Sequence, residues 1–223
     1  MSEKSCLITS SLLGSVKWFL TAPDVIIKPE KGGDGITTWK EKAEKDLKNL
    51  LSRKRDEFPV EAQQGVKFEK KVYQLANTLS KIPDNYSEHF KTVCKEVHGF
   101  EFFKKGGVNI EVNGNNCYLY GKYDAYSPFM IKDIKTTKEY KENKYLNTAQ
   151  HLIYCYISKI DDFEYIIAEW EEFPKIRNVY KEVFHVEDRE KLEKDVIEIV
   201  SNCLNVLKDY QLWDLYKEKF CLY

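Results

Sequence analysis

Long apolar runs are missing from this chain of 223 residues. The most hydrophobic stretches, Cys6 to Leu13 and Ile197 to Leu207, are short or interrupted by polar side chains. Both fall well below the roughly 20 apolar residues that a membrane-spanning helix needs, so no membrane partner is expected. The amino terminus, Met1 to Ser5, leads into no apolar core of the kind a secretory signal carries, which makes a cytoplasmic location the expectation. Close cysteine pairs are lacking as well. Cys6, Cys94, Cys117, Cys155, Cys203 and Cys221 are scattered singly, without the C-x2-C spacing of zinc or iron–sulfur sites, and are expected to be free thiols. His89, His98, His151 and His185 show no paired ligand spacing and read as structural or exposed. There is no internal repeat or low-complexity segment. An excess of positive charge is also absent: 35 Lys and Arg oppose 36 Asp and Glu, for a net charge of -1. That argues against a wholly basic surface of the kind that releases counterions from nucleic acid. The charge is uneven, however. Arg53, Lys54 and Arg55 form one basic cluster, Lys67, Lys70 and Lys71 a second, and Lys132, Lys135, Lys138, Lys141 and Lys144 a third, while acids dominate Asp161 to Glu198.

What is present is enough to build a core. With 43% hydrophobic and 14% aromatic residues, the chain is not disordered. One domain spanning 1–223 is expected, with a core over about 59–186, N-terminal helices within 1–58 and a C-terminal helix within 187–223. Thr9 to Leu20 reads as a helix stopped by Ala22-Pro23, with a glycine-rich loop at Lys31 to Gly35 after it. Thr38-Trp39-Lys40-Glu41 is a capping-box pattern opening a helix to about Arg53. Apolar spacing from Val66 to Leu79 predicts a helix that begins near Pro59 and runs up to Lys81-Ile82-Pro83. Ser87 to Val97 predicts another. The texture then turns to strands at Val108 to Val112, Cys117 to Tyr126 and Phe129 to Thr136, read as an antiparallel meander. A helix over Leu146 to Ile157, strands at Glu164 to Trp170 and Val179 to Val186, and one long or broken helix to Phe220 complete an α/β layout around a mixed central sheet flanked by helices.

The strand Met130 to Thr136 carries the chemistry. Period-two alternation puts Ile131, Asp133 and Lys135 on one face, and Lys132 and Ile134 on the other. A tight turn joins it to the strand bearing Asp124, which therefore lies directly across from Asp133 or one register step away. Cross-strand neighbours are about 5 Å apart and diagonal ones about 7 to 8 Å. Two carboxylates so close repel one another unless a proton or cation intervenes. Carboxylate oxygens suit hard cations such as Mg2+ and Mn2+. The spacing alone is not specific, since acid-x-Lys recurs at Asp46-Leu47-Lys48, Glu69-Lys70-Lys71, Glu139-Tyr140-Lys141 and Glu142-Asn143-Lys144.

The order of four segments narrows the reading. Gly65-Val-Lys-Phe-Glu69, Gly121-Lys-Tyr-Asp124, Asp133-Ile-Lys135-Thr136-Thr137 and Gln150-His-Leu-Ile-Tyr154 resemble, in that order, the motifs of the RecB-like branch of the PD-(D/E)XK nucleases, over roughly Gly65 to Trp170. The resemblance implies a restriction-endonuclease-like core and a stand-alone, phage or mobile-element type metal-dependent DNA nuclease acting as an exonuclease. On it, Asp124 and Asp133 would ligate Mg2+ or Mn2+, aided by the backbone carbonyl of Ile134, and Glu69 would bind the ion directly or through water. Lys135 would orient the attacking water and steady the phosphate, while Gln150 and Tyr154 would brace the site or contact DNA. No iron–sulfur cluster is expected, because Cys203 and Cys221 are too far apart for that branch's three-cysteine group. The partners implied are DNA and a recombination or annealing protein, with a homo-oligomer left open. The alternative is a catalytically inactive nuclease-fold module that binds nucleic acid or protein; a metal-dependent RNase is a third.

Each element also has a plainer reading. Glu69 could be a solvated helix residue, Asp124 and Asp133 surface acids of a hairpin, and Lys135 an edge-strand charge. Gln150 and Tyr154 could be ordinary residues of an amphipathic helix. Tyr118, Tyr120, Tyr123 and Tyr126 could stack on bases or simply pack the sheet.

Overall fold

The computed structural model describes residues 5–27, 37–54 and 59–221. In chain order these form β1 (Cys6–Thr9), α1 (Ser10–Thr21), β2 (Ile26–Ile27), β3 (Thr37–Thr38), α2 (Trp39–Leu51) and α3 (Val60–Ala76). A short 3-10 turn (Leu79–Lys81) is followed by α4 (Glu88–Glu96), β4 (Glu101–Phe102), β5 (Lys105–Val112), β6 (Asn115–Lys122), β7 (Ala125–Tyr126) and β8 (Met130–Thr137). Then come α5 (Gln150–Ser158), β9 (Asp162–Glu172), β10 (Lys175–His185), α6 (Arg189–Asp209) and α7 (Trp213–Phe220). The glycine-rich loop at 31–35 and Arg55 of the first basic cluster lie outside the described residues. Among the described residues no helix is long and apolar enough to cross a membrane.

Side-chain caps decide where several helices begin. Thr9 accepts from the Leu12 N–H at 3.2 Å and Ser87 from the Phe90 N–H at 3.2 Å. The capping box closes from both sides, with Glu41 N–H to Thr38 at 3.2 Å and Thr38 N–H to Glu41 at 2.8 Å. One helix ends early: α3 stops at Ala76 instead of running to Lys81. The C-terminal segment takes the broken form, parted between α6 and α7 where Gln211 has a positive φ of 58°.

The described residues group into two compact units. The first draws on Met1–Asp56, Gly107–Tyr120 and Glu193–Tyr223. Its sheet has the order β1-β6-β5, with β1 parallel to β6 from Cys6↔Cys117 to Thr9↔Tyr120. Ile8, Leu12, Leu47, Leu51, Leu119, Leu204 and Tyr216 are fully buried, each apolar side chain worth about 1.5 to 3 kcal/mol on removal from water. The expectation of six free thiols fails here: Cys6 and Cys221 form a disulfide, while Cys94, Cys117, Cys155 and Cys203 are free and buried. The pair escapes a spacing argument because 215 positions separate the partners, and only the packing of α7 against β1 brings them together.

The second unit draws on Glu57–Gly106 and Gly121–Leu192. Its sheet runs β10-β9-β8-β7-β4, antiparallel except for the β8–β9 pair, whose parallel register is made possible by the α5 crossover. One face carries Ile134, Ile166, Ala168 and Trp170, which join Phe68, Val72 and Ala76 of α3 and Phe90, Val93 and Cys94 of α4 in a single apolar cluster. The other face presents Phe163 and Tyr165 to His151 and Tyr154 of α5. Helices thus flank a mixed sheet, which is the α/β class expected and is consistent with a restriction-endonuclease-like core. The expected meander is corrected. β5 and β6 belong to one sheet and β7 and β8 to another, because the strand run breaks at Tyr123-Asp124, where the Asp124 carboxylate accepts the Ile134 N–H at 3.3 Å.

Candidate active site

The β7–β8 register pairs Ala125 with Lys132 and Tyr126 with Ile131, so its continuation sets Asp124 opposite Asp133. Asp133 is 2% exposed, and both its oxygens are engaged. Oδ2 lies 2.7 Å from Lys135 Nζ, and Oδ1 accepts from Gln150 Nε2 at 2.5 Å. Gln150 is the first residue of α5. One turn on, Tyr154 donates to the Lys122 carbonyl at 3.0 Å, so the structure places it as a brace beside the cluster and not among the carboxylates. Its ring fills the space over Gly121, where a Cβ would come within 2.9 Å of Tyr154 Cε1. Gly65 does the same for α3, since a Cβ there would meet Thr136 Oγ1 at 2.9 Å. The close approach of α3 to β8 carries Glu69, one turn beyond Gly65 on the same side of the helix, toward the acids.

Charge at this site is unbalanced. Burial, followed by repulsion from Asp133, pushes the Glu69 carboxyl up to about 7, with Lys135 and Lys122 pulling the other way. Burial and the neighbouring Asp133 likewise hold Asp124 well above the ordinary carboxylate range. Lys135 responds in the opposite sense. Burial alone would lower its pKa, but Asp133 and Asp124 outweigh it and keep the ammonium charged. Ile134 is buried in the apolar cluster, with its N–H committed to Asp124.

A hard divalent cation fits this donor set. Three carboxylates face one lysine, two of them hold protons more tightly than a free acid would, and carboxylate oxygens are the ligands such ions take. Among the described residues, however, no three Asp, Glu, His or Cys side chains are already drawn into a ligand cage. The hydrogen bonds explain this: Lys135 and Gln150 hold Asp133, and the Ile134 N–H holds Asp124.

Other residues around the site were not singled out from sequence. Tyr73 is buried close enough to Asp124, Glu69 and Asp133 that burial and their charge keep its phenol protonated. It lies four positions after Glu69 on α3, a spacing that could have flagged it. Tyr165, opposite Asp133 in the β8–β9 register, has its ring 5.9 Å from Lys135 Nζ. The loop between β8 and α5 is held by buried glutamates: Glu169 accepts from Tyr140 N–H at 2.9 Å, and Glu182 from Tyr145 and Leu146 N–H at 3.1 and 2.9 Å. Those bonds are why α5 starts at Gln150 and not at Leu146. Tyr123 is buried, stacked on Tyr126 at 5.7 Å and edge-on to Tyr154 at 5.1 Å, so this part of the tyrosine stripe packs the sheet. His151 is buried too, and burial pushes its pKa down to about 4, so it stays neutral.

No family model and no curated protein sequence matches the chain. Solved structures do. SSO0001 aligns with a TM-score of 0.50 at 11% identity, covering 92% of this chain and 79% of that one, which is a likeness of fold. A phage related exonuclease from Haemophilus somnus 129PT aligns with a TM-score of 0.44 at 12% identity, covering 89% and 93% of the two chains. The alkaline exonuclease LHK-Exo from Laribacter hongkongensis aligns with a TM-score of 0.45 at 9% identity, covering 92% and 91%.

Proposed function

We propose that the chain is a Mg2+ or Mn2+-dependent deoxyribonuclease of the RecB-like PD-(D/E)XK type, acting as an exonuclease. The observation that supports it best is the excess of acid around one lysine on β8, with burial and Asp133 raising both Glu69 and Asp124 while Lys135 pairs with Asp133 at 2.7 Å. The carboxylates of Glu69, Asp124 and Asp133 and the carbonyl of Ile134 would hold the ion. Bound there, a divalent cation supplies a more acidic water and positive charge for the leaving oxygen. Lys135, whose charged form Asp133 and Asp124 favour in the ion-free site, would donate to a non-bridging phosphate oxygen and orient the attacking water. Gln150 fixes the rotamer of Asp133, and Tyr154 locks α5 to the Lys122 backbone. DNA and the exonuclease mode are what the motif order implies.

The test is cleavage of end-labelled linear and closed circular DNA with Mg2+, Mn2+ or EDTA, beside Asp133→Ala. Metal-dependent loss of linear DNA only, absent in the variant, is the expected result. Inactivity on both substrates under every condition would sink the nuclease reading. The rival is an inactive nuclease-fold module that binds nucleic acid or protein: DNA retained without metal and never turned over marks its first form, and the near-neutral charge favours its second, protein-binding form.

A further inference from the structure

On the side of α3 turned away from Glu69 lies a cavity of about 650 Å3, outside the acid cluster. At 3.6 residues per turn, Lys67 and Lys71 sit two positions to either side of Glu69 and therefore roughly 200° around the helix from it. Both face this cavity. Its wall is aromatic. Tyr86 and Phe90 pack ring to ring at 4.5 Å, and Phe173 of the β9–β10 turn closes another side. Phe90 is buried and belongs to the core, whereas Tyr86 and Phe173 are half-buried and present ring surface to the cavity. Lys71 Nζ stands 5.9 Å from the centre of the Tyr86 ring, which sets a cation above an aromatic face. Lys175 at the rim is paired with Glu171 at 2.5 Å, whereas Lys67 and Lys71 project from α3 into the cavity.

An occupant that satisfies both features has a flat π-system and negative charge at short intervals. Aromatic walls alone would suit any apolar group, and lysines alone any anion. Together, beside one another, they are the recognition chemistry of unpaired nucleic acid, in which a base stacks on a ring while lysines track the backbone. Lys67 and Lys71 are about 6 Å apart along the helix axis, comparable to the step between successive phosphates of an extended strand. We infer that this cavity takes one unpaired nucleotide of a single-stranded segment, with its base against Tyr86 and Phe173 and the adjoining phosphates on Lys67 and Lys71. The inference shares with the proposed function the premise that the chain handles nucleic acid, but places a contact where the acid cluster cannot reach. A strand held here is gripped on one side of α3, leaving the cluster around Glu69 to a different stretch of the same molecule.

The experiment measures fluorescence anisotropy of a short labelled oligothymidylate with the full chain in EDTA, so that turnover plays no part. The exposed double variant Lys67→Glu/Lys71→Glu is expected to weaken binding about tenfold or more and to flatten the salt dependence by about one unit of slope. Tyr86→Ala, checked for an unchanged melting profile, is expected to weaken binding of the oligothymidylate but not of an abasic oligonucleotide of equal length. Unchanged affinity in the double variant overturns the inference. So does a wild-type protein that binds an acidic, phenylalanine-bearing peptide but not the oligonucleotide, which would make the cavity a protein-docking site. The two readings fail separately: an inactive protein whose oligonucleotide binding still depends on Lys67 and Lys71 removes the nuclease assignment alone. Asp133-dependent cleavage with binding indifferent to both lysines removes the cavity alone.

Discussion

Strand β8 carries buried charge on both faces, and the two sets are built on different principles. On one face Lys132, 8% exposed, lies 2.8 Å from Glu164 and 3.1 Å from Glu96, while Lys181 reaches Glu96 at 2.5 Å and Glu164 at 3.6 Å. Two lysines meet two glutamates. The contacts with Lys181 and Lys132 overcome the effect of burial on Glu96 and hold its carboxyl below the ordinary value. On the other side Asp133 and Lys135 are joined by Asp124 and by Glu69 of α3, so that three carboxylates meet one ammonium, and Glu69 and Asp124 are both pushed upward. The balanced set is complete as it stands and works as a structural tie between β8, β9, β10 and α4. The unbalanced set is short of positive charge, which is the condition that a bound cation relieves.

The sharpest way to break this comparison is to remove one charge from each face and read both activity and stability. Asp133→Ala and Lys135→Ala are each expected to lower metal-dependent cleavage by about a hundredfold or more, by analogy with other metal and electrostatic sites, while the thermal unfolding profile stays cooperative. Cleavage within a few-fold of wild type in either variant would show that this face is not the site. Lys132→Met should do the reverse. Leaving buried Glu164 with only Lys181 at 3.6 Å, while Glu96 keeps Lys181 at 2.5 Å, is expected to cost about 3 kcal/mol in urea unfolding, as breaking a buried ion pair does, with cleavage per folded molecule little changed. A neutral effect on stability would mean that the network is not held together as described.

A smaller effect sharpens the contrast through pH. The Glu69 carboxyl titrates at about 7 in the fold against 4.5 when unperturbed, so the folded protein binds this proton more tightly than the unfolded chain. The resulting stabilisation is present below pH 4.5 and is lost as pH rises through 7. In metal-free protein, Glu69→Gln should therefore flatten the fall in stability over that window and raise stability at pH 8, by at most about 3 kcal/mol and by less to the extent that solvent screens this half-buried group. Parallel pH–stability curves for the two proteins would contradict the raised pKa. Because protons compete with metal at the same carboxylate, stabilisation by Mn2+ should also be larger at pH 8 than at pH 6.

Much of this architecture can be read locally. The capping box at Thr38 and Glu41, the Thr9 and Ser87 starts, and the alternation that separates Asp133 and Lys135 from Lys132 and Ile134 depend on neighbours a few residues away. The four motif segments also name Gly65 and Gly121, but only the packed structure shows why they are glycine, since Thr136 and Tyr154 occupy the space a side chain would need. What stayed hidden depends on distant partners. The bond between Cys6 and Cys221, the split of the expected meander into two sheets, and the pairing of Lys132 with Glu96 and Glu164 each join segments that no periodicity links. Read as part of a basic cluster, Lys132 is in fact buried. Tyr73 was not singled out from sequence; its nearness to three acids comes from the docking of α3 onto β8.

The most direct test of the central claim is a thermal-shift titration with Mn2+ at pH 8 on wild type, Asp133→Ala and Lys132→Met. A ligand that binds only the native state raises the melting temperature, by an amount that grows with the logarithm of its concentration above its Kd. The expected result is a rise at millimolar Mn2+ in wild type and in Lys132→Met, the latter from a lower starting point, and none in Asp133→Ala. An equal rise in all three proteins, or none in wild type, would contradict the assignment of the acidic face of β8 as the cation site.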